Sequence, residues 1–144
     1  MGPVLQSFSA AAPHFLSVFA LTIGLFGAGA FAYVILTPHR EIALVRAGNT
    51  AAGVSLAGAF VGLAIPLGAC LAASFSSIEM LLWGVVTLLI QLLMFRIVDL
   101  FLNSLPKRIE NDETGAAFFL VGVKIATAVI LASAVSDPAL RLLR

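Results

Sequence analysis

Charge and cysteine are both scarce in this sequence. Asp, Glu, Lys and Arg make up only 10% of the 144 residues, and no lysine or arginine precedes Arg40. The 8 basic and 7 acidic side chains leave a net charge of +1. There is thus no basic footprint of the kind that holds a polynucleotide, and no nucleic acid partner is expected. The single cysteine, Cys70, has no second thiol to pair with and no histidine nearby, which excludes an internal disulfide and a thiolate metal site. No metal and no other cofactor is expected. The first apolar run is expected to be retained as a membrane helix, because no basic segment stands ahead of it as in a cleavable signal peptide.

What the sequence does contain is apolar. Hydrophobic residues are 61% of the chain and its mean hydropathy is +1.12, more apolar surface than one soluble core of this size can hide, so lipid is the expected solvent and partner. Unbroken apolar stretches run over residues 15–36, 50–73, 80–98 and 115–135, each close to the roughly 20 residues a helix needs to cross hydrocarbon. Backbone groups in lipid are satisfied within a helix or around a closed barrel, and these runs lack the alternating polarity of barrel strands. The fold class is therefore all-α: a polytopic membrane protein of four transmembrane helices forming one domain over residues 1–144. Thr37-Pro38 punctuates the end of the first span, and Gly48-Asn49-Thr50 ends one element and caps the next. Residues 39–48 are read as an interfacial turn of helix or a solvated loop.

Basic residues orient the spans. The first and third connections and their flanks carry Arg40, Arg46, Arg96, Lys107 and Arg108, the second carries none, and the tail adds Arg141 and Arg144. Positive charge stays on the cytoplasmic side, so both termini are expected outside the cytoplasm. A shift of 64 residues lays Thr50, Ala52, Leu56 and Gly58 over Thr114, Ala116, Leu120 and Gly122. This faint repeat would make the protein a tandem pair of two-helix hairpins, parallel to one another.

The segment Thr37 to Ala69, TPHREIALVRAGNTAAGVSLAGAFVGLAIPLGA, carries Thr37-Pro38, Glu41, Gly48-Asn49, Ala51-Ala52, Gly58, Gly62 and Ile65-Pro66-Leu67. It is followed by Trp83-Gly84 and Ile90-Gln91-Leu92-Leu93. In this pattern the chain resembles the domain of unknown function 350 family of bacterial inner-membrane proteins. The resemblance implies a four-helix inner-membrane protein and no particular activity. The last helix departs from the family, with Leu131 where the resemblance implies an asparagine.

Several residues are candidates for function. Small residues recur every four positions at Ala20, Gly24, Ala28 and Ala32, and again at Gly58 and Gly62; such stripes let helix backbones approach, either inside one bundle or between copies in a homo-oligomer. Pro66 interrupts the hydrogen bonding of the second span and is expected to kink it. Lys124 falls near the centre of the fourth span, where a lysine costs about 2.5 to 3.5 kcal/mol to insert, so it is expected to face inward. Counting residues from each span centre puts Gln91, Lys124 and the carbonyl of Gly62 in one buried layer, with Thr87 and Thr127 close by. The expectation is that Lys124 bonds Gln91, the Gly62 carbonyl or both, with no carboxylate in the layer to neutralise it. No serine, cysteine or aspartate is placed to complete a nucleophilic site, and His14 and Glu79 form at most an interfacial pair. The protein is not expected to be an enzyme. Two readings remain. One is an oligomeric scaffold whose cytoplasmic connections, bearing Arg40, Glu41, Arg46, Asn49, Lys107, Arg108, Asp112 and Glu113, dock a cytosolic or peripheral protein. The other is a small channel or carrier with its polar path around Gln91 and Lys124.

The orientation has a direct test. In a Cys70-free background, Leu44→Cys is expected to resist a membrane-impermeant thiol reagent applied from outside intact cells; labelling from outside would reverse the topology.

Overall fold

A computed structural model describes residues 2–37, 40–74, 76–102 and 104–137. Pro38, His39, Asn103 and the tail arginines Arg141 and Arg144 lie outside the described residues. The described chain is helical, with no strand. Four long helices, α1 (Gly2–Leu36), α3 (Thr50–Ala73), α4 (Ser77–Phe101) and α6 (Thr114–Val135), are each long and apolar enough to cross a membrane. Two one-turn helices, α2 (Glu41–Arg46) and α5 (Leu105–Glu110), fill the first and third connections, so the 39–48 segment contains helix and is not a plain loop.

Helices α3 and α6 coincide with their apolar runs to within one residue, α4 extends three residues beyond its run at each end, and α1 begins at Gly2 and passes through Pro13. The first helix therefore extends 13 residues ahead of the apolar run at 15–36. Pro13 sacrifices one backbone bond, a loss that a membrane helix tolerates. At 35 residues α1 is about 52 Å long, against about 30 Å of hydrocarbon. At the other termini, capping is local. The Asn49 side chain accepts from the Ala52 amide at 2.7 Å, and Ser76 accepts from Glu79 N at 3.2 Å, each satisfying an amide that has no partner inside its helix. Helix α3 runs uninterrupted from Thr50 to Ala73 with Pro66 buried inside it.

The repeat is visible in the helix boundaries. A shift of 64 residues carries Glu41–Arg46 onto Leu105–Glu110 and Thr50 onto Thr114. It also carries Gly48, at φ 89°, onto Asp112, at φ 60°. Both residues hold the left-handed conformation that turns the chain from the short helix into the next span. Glycine takes it freely and aspartate tolerates it. The two turns also clasp each other. Asn49 Nδ2 donates to the carbonyls of Ile109 and Glu110 at 2.9 and 3.1 Å, and the Ala51 amide donates to Asp112 Oδ1 at 2.7 Å.

Packing between spans depends on missing side chains. The most extensive contact is α3 against α6, lined by Ala51, Ala52, Ser55, Gly58, Ala59 and Gly62 on one helix and Ala116, Ala117, Leu120 and Ala128 on the other, all buried. A Cβ on Gly58 would lie 2.9 Å from Val121 Cβ, and one on Gly62 would lie 2.9 Å from Phe95 Cζ and 3.5 Å from the Lys124 carbonyl oxygen. With no hydrophobic drive between helices in lipid, this backbone approach and the dispersion contacts it allows hold the pair together. Helices α1 and α4 meet reciprocally: Leu88 lies over Gly29, and Leu25 over Gly84. The buried face of α1 is Val18, Thr22, Leu25, Gly29 and Tyr33. Gly24 and Ala28 lie on its opposite, exposed side, and nothing stands within 4 Å of a Cβ added at Gly24. The stripe on α1 therefore does not pack inside this bundle; Gly58 and Gly62 do.

Gly58→Leu or Gly62→Leu is expected to force α3 from α6 and Phe95 and to destabilise the bundle by about 1 to 3 kcal/mol, the usual range for overpacking. Gly122→Ala, where a Cβ meets open space, is expected to change stability by less than about 0.5 kcal/mol. Melting of the purified variants in mild detergent checks both.

Candidate functional site

The site begins with the direction in which side chains leave a helix. Each Cα–Cβ bond tilts toward the helix N-terminus. Lys124 is the eleventh residue of α6, and its side chain leans back toward the end of the bundle where α2 and α5 lie. Tyr33, near the C-terminus of α1, leans the opposite way, into the bundle. They meet: Lys124 Nζ donates to the Tyr33 hydroxyl at 2.8 Å. The ammonium also stands 4.7 Å from the Tyr33 ring centroid and 5.2 Å from that of Phe95, within the range of cation–π attraction. The two rings pack edge to face at 5.8 Å.

From Tyr33 the chain of bonds continues to a carboxylate. The Tyr33 hydroxyl donates to Glu41 Oε1 at 3.1 Å, and Ser55 Oγ donates to the same oxygen at 2.8 Å. Glu41 is the first residue of α2, which folds against α3 and turns this side chain inward. The burial is nearly complete: exposure is 1% for Lys124, 2% for Tyr33 and Glu41, and 0% for Ser55. An isolated ion in such a place would be prohibitive, whereas a cation and an anion joined through a hydroxyl satisfy each other. Asp99, on α4, adds a second carboxylate within electrostatic range of Lys124 and Tyr33.

A second polar level lies deeper. Gln91 Nε2 reaches the Lys124 carbonyl oxygen at 3.4 Å and Thr127 Oγ1 at 3.5 Å, while Thr127 donates to that same carbonyl at 2.8 Å. The side-chain oxygen of Gln91 is buried with no hydrogen-bond partner among the described residues. One turn back along α4, Thr87 Oγ1 and Cys70 Sγ are 3.2 Å apart, both fully buried. The Ser74 hydroxyl then donates to the Cys70 carbonyl at 2.7 Å. Polar groups thus recur from α2 to the connection at the opposite end.

The expected midplane cluster is brought together with a different bonding pattern. Lys124 is buried, and Gln91 and Gly62 both approach it, but at its main-chain carbonyl. The ammonium instead goes to Tyr33. Because α4 and α6 run in opposite directions, Gln91 and Lys124 lean apart even though their Cα atoms share a level. A carboxylate does reach the lysine through Tyr33, because Glu41 arrives from outside the spans. Three residues expected on the docking face are used internally, Asp112 among them as the acceptor of the Ala51 amide. Glu41 is buried, and Asn49 clamps the other turn. Arg40, Arg46, Lys107 and Arg108 are exposed; Arg108 pairs with Glu113 at 2.7 Å, a solvated contact of small worth. Tyr33 was not among the sequence candidates. Its signal is that it is the only tyrosine in the chain, set in the last turn of an apolar span. No group of three or more His, Cys, Asp or Glu that could hold a metal occurs among the described residues.

Comparison with known proteins adds the following. The family model described as Domain of Unknown Function (DUF350) matches residues 6–135. The protein named UPF0719 inner membrane protein YjfL, in two strains of Escherichia coli, is 37% identical over 90 residues, covering 62% of this chain and 68% of the relative. Neither name is that of an enzyme. No solved structure matches.

If Lys124 and Glu41 satisfy each other through Tyr33, removing either one leaves a buried charge alone. Lys124→Met and Glu41→Gln are each expected to cost about 3 kcal/mol, and the double variant is expected to recover much of the combined loss. Denaturation in detergent of the two single variants and the double variant measures this; additive losses would show that the two groups are independent.

Proposed function

We propose, from the premise that this chain belongs to the DUF350 family of multi-pass inner-membrane proteins, that it is a small transport protein whose working site is the buried set Lys124, Tyr33, Glu41 and Ser55. One observation carries the reading. The 64-residue repeat places Phe60, Ile97, Leu105 and Phe119 at the positions equivalent to Lys124, Tyr33, Glu41 and Ser55. All four are apolar, and Leu105 is buried at the start of its short helix as Glu41 is at the start of α2. Phe60 is half-buried, and Ile97 and Phe119 are exposed, so the repeat carries an enclosed ionisable set in one place and no enclosed polar set in the equivalent one. Hydrophobic replacement of buried ionic groups is often neutral or stabilising, so stability alone does not account for the polar set. Ionisable residues inside a membrane bundle typically line ion or substrate pathways. The recurring polar groups at Gln91 with Thr127, and at Thr87 with Cys70, extend such a pathway toward the opposite end, and the orphan Gln91 oxygen offers an acceptor along it.

The scaffold reading keeps less support, since Glu41 and Asn49 are spent on internal contacts and the exposed cations are reduced to Arg40, Arg46, Lys107 and Arg108. By the distribution of basic residues, the end bearing α2 and α5 is the cytoplasmic one. Homo-oligomers fit the transport reading as well as the scaffold one, with the exposed Gly24 and Ala28 face of α1 available between copies.

Purified protein in proteoliposomes is expected to pass at least one of H⁺, Na⁺, K⁺, Cl⁻ or a small charged solute above the rate of empty vesicles. Tyr33→Phe, which deletes only the bridging hydroxyl, is expected to slow that flux by about tenfold or more, the equivalent of one lost hydrogen bond in the barrier. Wild-type vesicles inert to every species tested, together with a partner crosslinked through the exposed cations, would replace transport with docking.

A further inference from the structure

We infer that the ion handled at this site is the proton, exchanged between Lys124 and the α2 end of the bundle through Tyr33 and Glu41. The inference rests on the transport reading and names its substrate.

Its first support is the continuity of the bonds. Nζ to hydroxyl is 2.8 Å and hydroxyl to Oε1 is 3.1 Å, both within hydrogen-bond range, with one bridging atom that is donor and acceptor at once. As found, lysine donates to tyrosine and tyrosine to glutamate. Transfer needs only that each donor lose its proton to its acceptor. An N–H bond breaks at Nζ as an O–H bond forms on the Tyr33 oxygen, and the original Tyr33 O–H breaks as an O–H forms on Glu41 Oε1. The products are a neutral amine, an unchanged phenol and a carboxylic acid, with no electron gained or lost. The heavy atoms keep their places and both hydrogen bonds reverse.

Tightness is the second support. Lys124, Ser55, Gln91, Thr87 and Cys70 have 1% exposure or less, so a water-sized sphere does not reach them, and a sodium or chloride ion would need the bundle to open. A proton moves along existing bonds.

The third is an exit. A cavity of about 480 Å³ opens beside α2, lined by Val34, Thr37, Arg40, Glu41, Ile42 and Arg46 among others. The cavity lies against α2 at the end of the bundle where the relay ends, with Arg40 and Arg46 in its wall beside Glu41. Among the described residues, the charged and polar groups around the relay come from five elements. Helix α4 presents Asp99; α2 and its N-cap present Glu41 with Arg40 and Arg46 on the cavity side; α1 contributes Tyr33, with Thr37 just after it; α3 offers the Ser55 hydroxyl; and α6 contributes Lys124 itself with Thr127.

The test uses the full chain in proteoliposomes loaded with a pH-sensitive dye, under a potassium diffusion potential. Wild-type vesicles should change internal pH faster than empty ones. Tyr33→Phe retains the Phe95 ring contact but removes the hydroxyl that joins Lys124 to Glu41, so it should melt below wild type; at a temperature where both are folded it should slow the change by about tenfold or more. Infrared difference spectra, which need no transport, should show a carboxylic acid band that titrates, vanishes in Glu41→Gln and shifts in Tyr33→Phe. Flux of Na⁺, K⁺ or Cl⁻ without proton movement would overturn the inference and leave the transport reading standing. No flux of any species would overturn both. Proton flux equal in wild type and Tyr33→Phe, or a carboxyl band indifferent to Tyr33, would remove the relay.

Discussion

An ammonium group at the middle of a bilayer is acceptable only where protein encloses it, and the enclosure of Lys124 sets the requirements for the rest of the bundle. Helix α6 approaches α3 through Gly58, Gly62 and a row of alanines until only backbone and Phe95 separate the lysine from the second span. Helices α1 and α4 close the other side with the Tyr33 and Phe95 rings, and their own approach depends on Leu25 and Leu88 lying over bare glycine. One carboxylate, Asp99, stands near the end of α4, and the one linked to the lysine through Tyr33 comes from the interface. A one-turn helix folds back and delivers Glu41 from outside the hydrocarbon. That helix is held in place by the turn after it, where Asn49 and Asp112 bind the two connections together.

The tandem repeat gives these contacts a comparison within the same molecule. Both halves consist of a long span, a one-turn helix, a left-handed residue and a second span, at a constant offset of 64 residues. Where one half has Tyr33, Glu41 and Ser55, the other has Ile97, Leu105 and Phe119; where the second half has Lys124, the first has Phe60. The polar set is drawn from both halves, three residues from the first and one from the second. It therefore exists only when the hairpins pack on each other. The ionic link thus fixes the pairing of the halves, a specificity role that apolar contacts between alanines do not supply.

Much of this was legible along the chain. The length and polarity of the spans, their helical nature and the inward burial of Lys124 follow from one-dimensional quantities: how many apolar residues fit across hydrocarbon, and what a lysine costs there. The 64-residue offset was also readable from Thr50 over Thr114, which open the second span of each half, and from Ala52 over Ala116, both buried where helices pack closely. The apolar run at 15–36 marks a stretch able to span hydrocarbon, and α1 continues ahead of it to Gly2 because an α-helix does not need apolar residues outside the hydrocarbon.

The partners of Lys124 were a different matter. Depth counted at Cα atoms put it level with Gln91 and Gly62, and at the level of the main chain that is where they are. A lysine side chain reaches about 6 Å, and its direction follows the N-terminal tilt of its helix, so the ammonium leaves that level for the one occupied by Tyr33. Nothing local to Tyr33 or Glu41 announces the meeting. They are eight residues apart in sequence and 91 and 83 from the lysine, and Glu41 reads as a solvated interfacial charge until α2 turns it inward. The sequence by itself determined the solvent, the number of spans and the residue that had to be hidden, because each depends on the composition of a single segment. Only the tertiary structure decided what hides it, because that depends on side-chain direction and helix rotation, which emerge once four helices and the turns between them pack together.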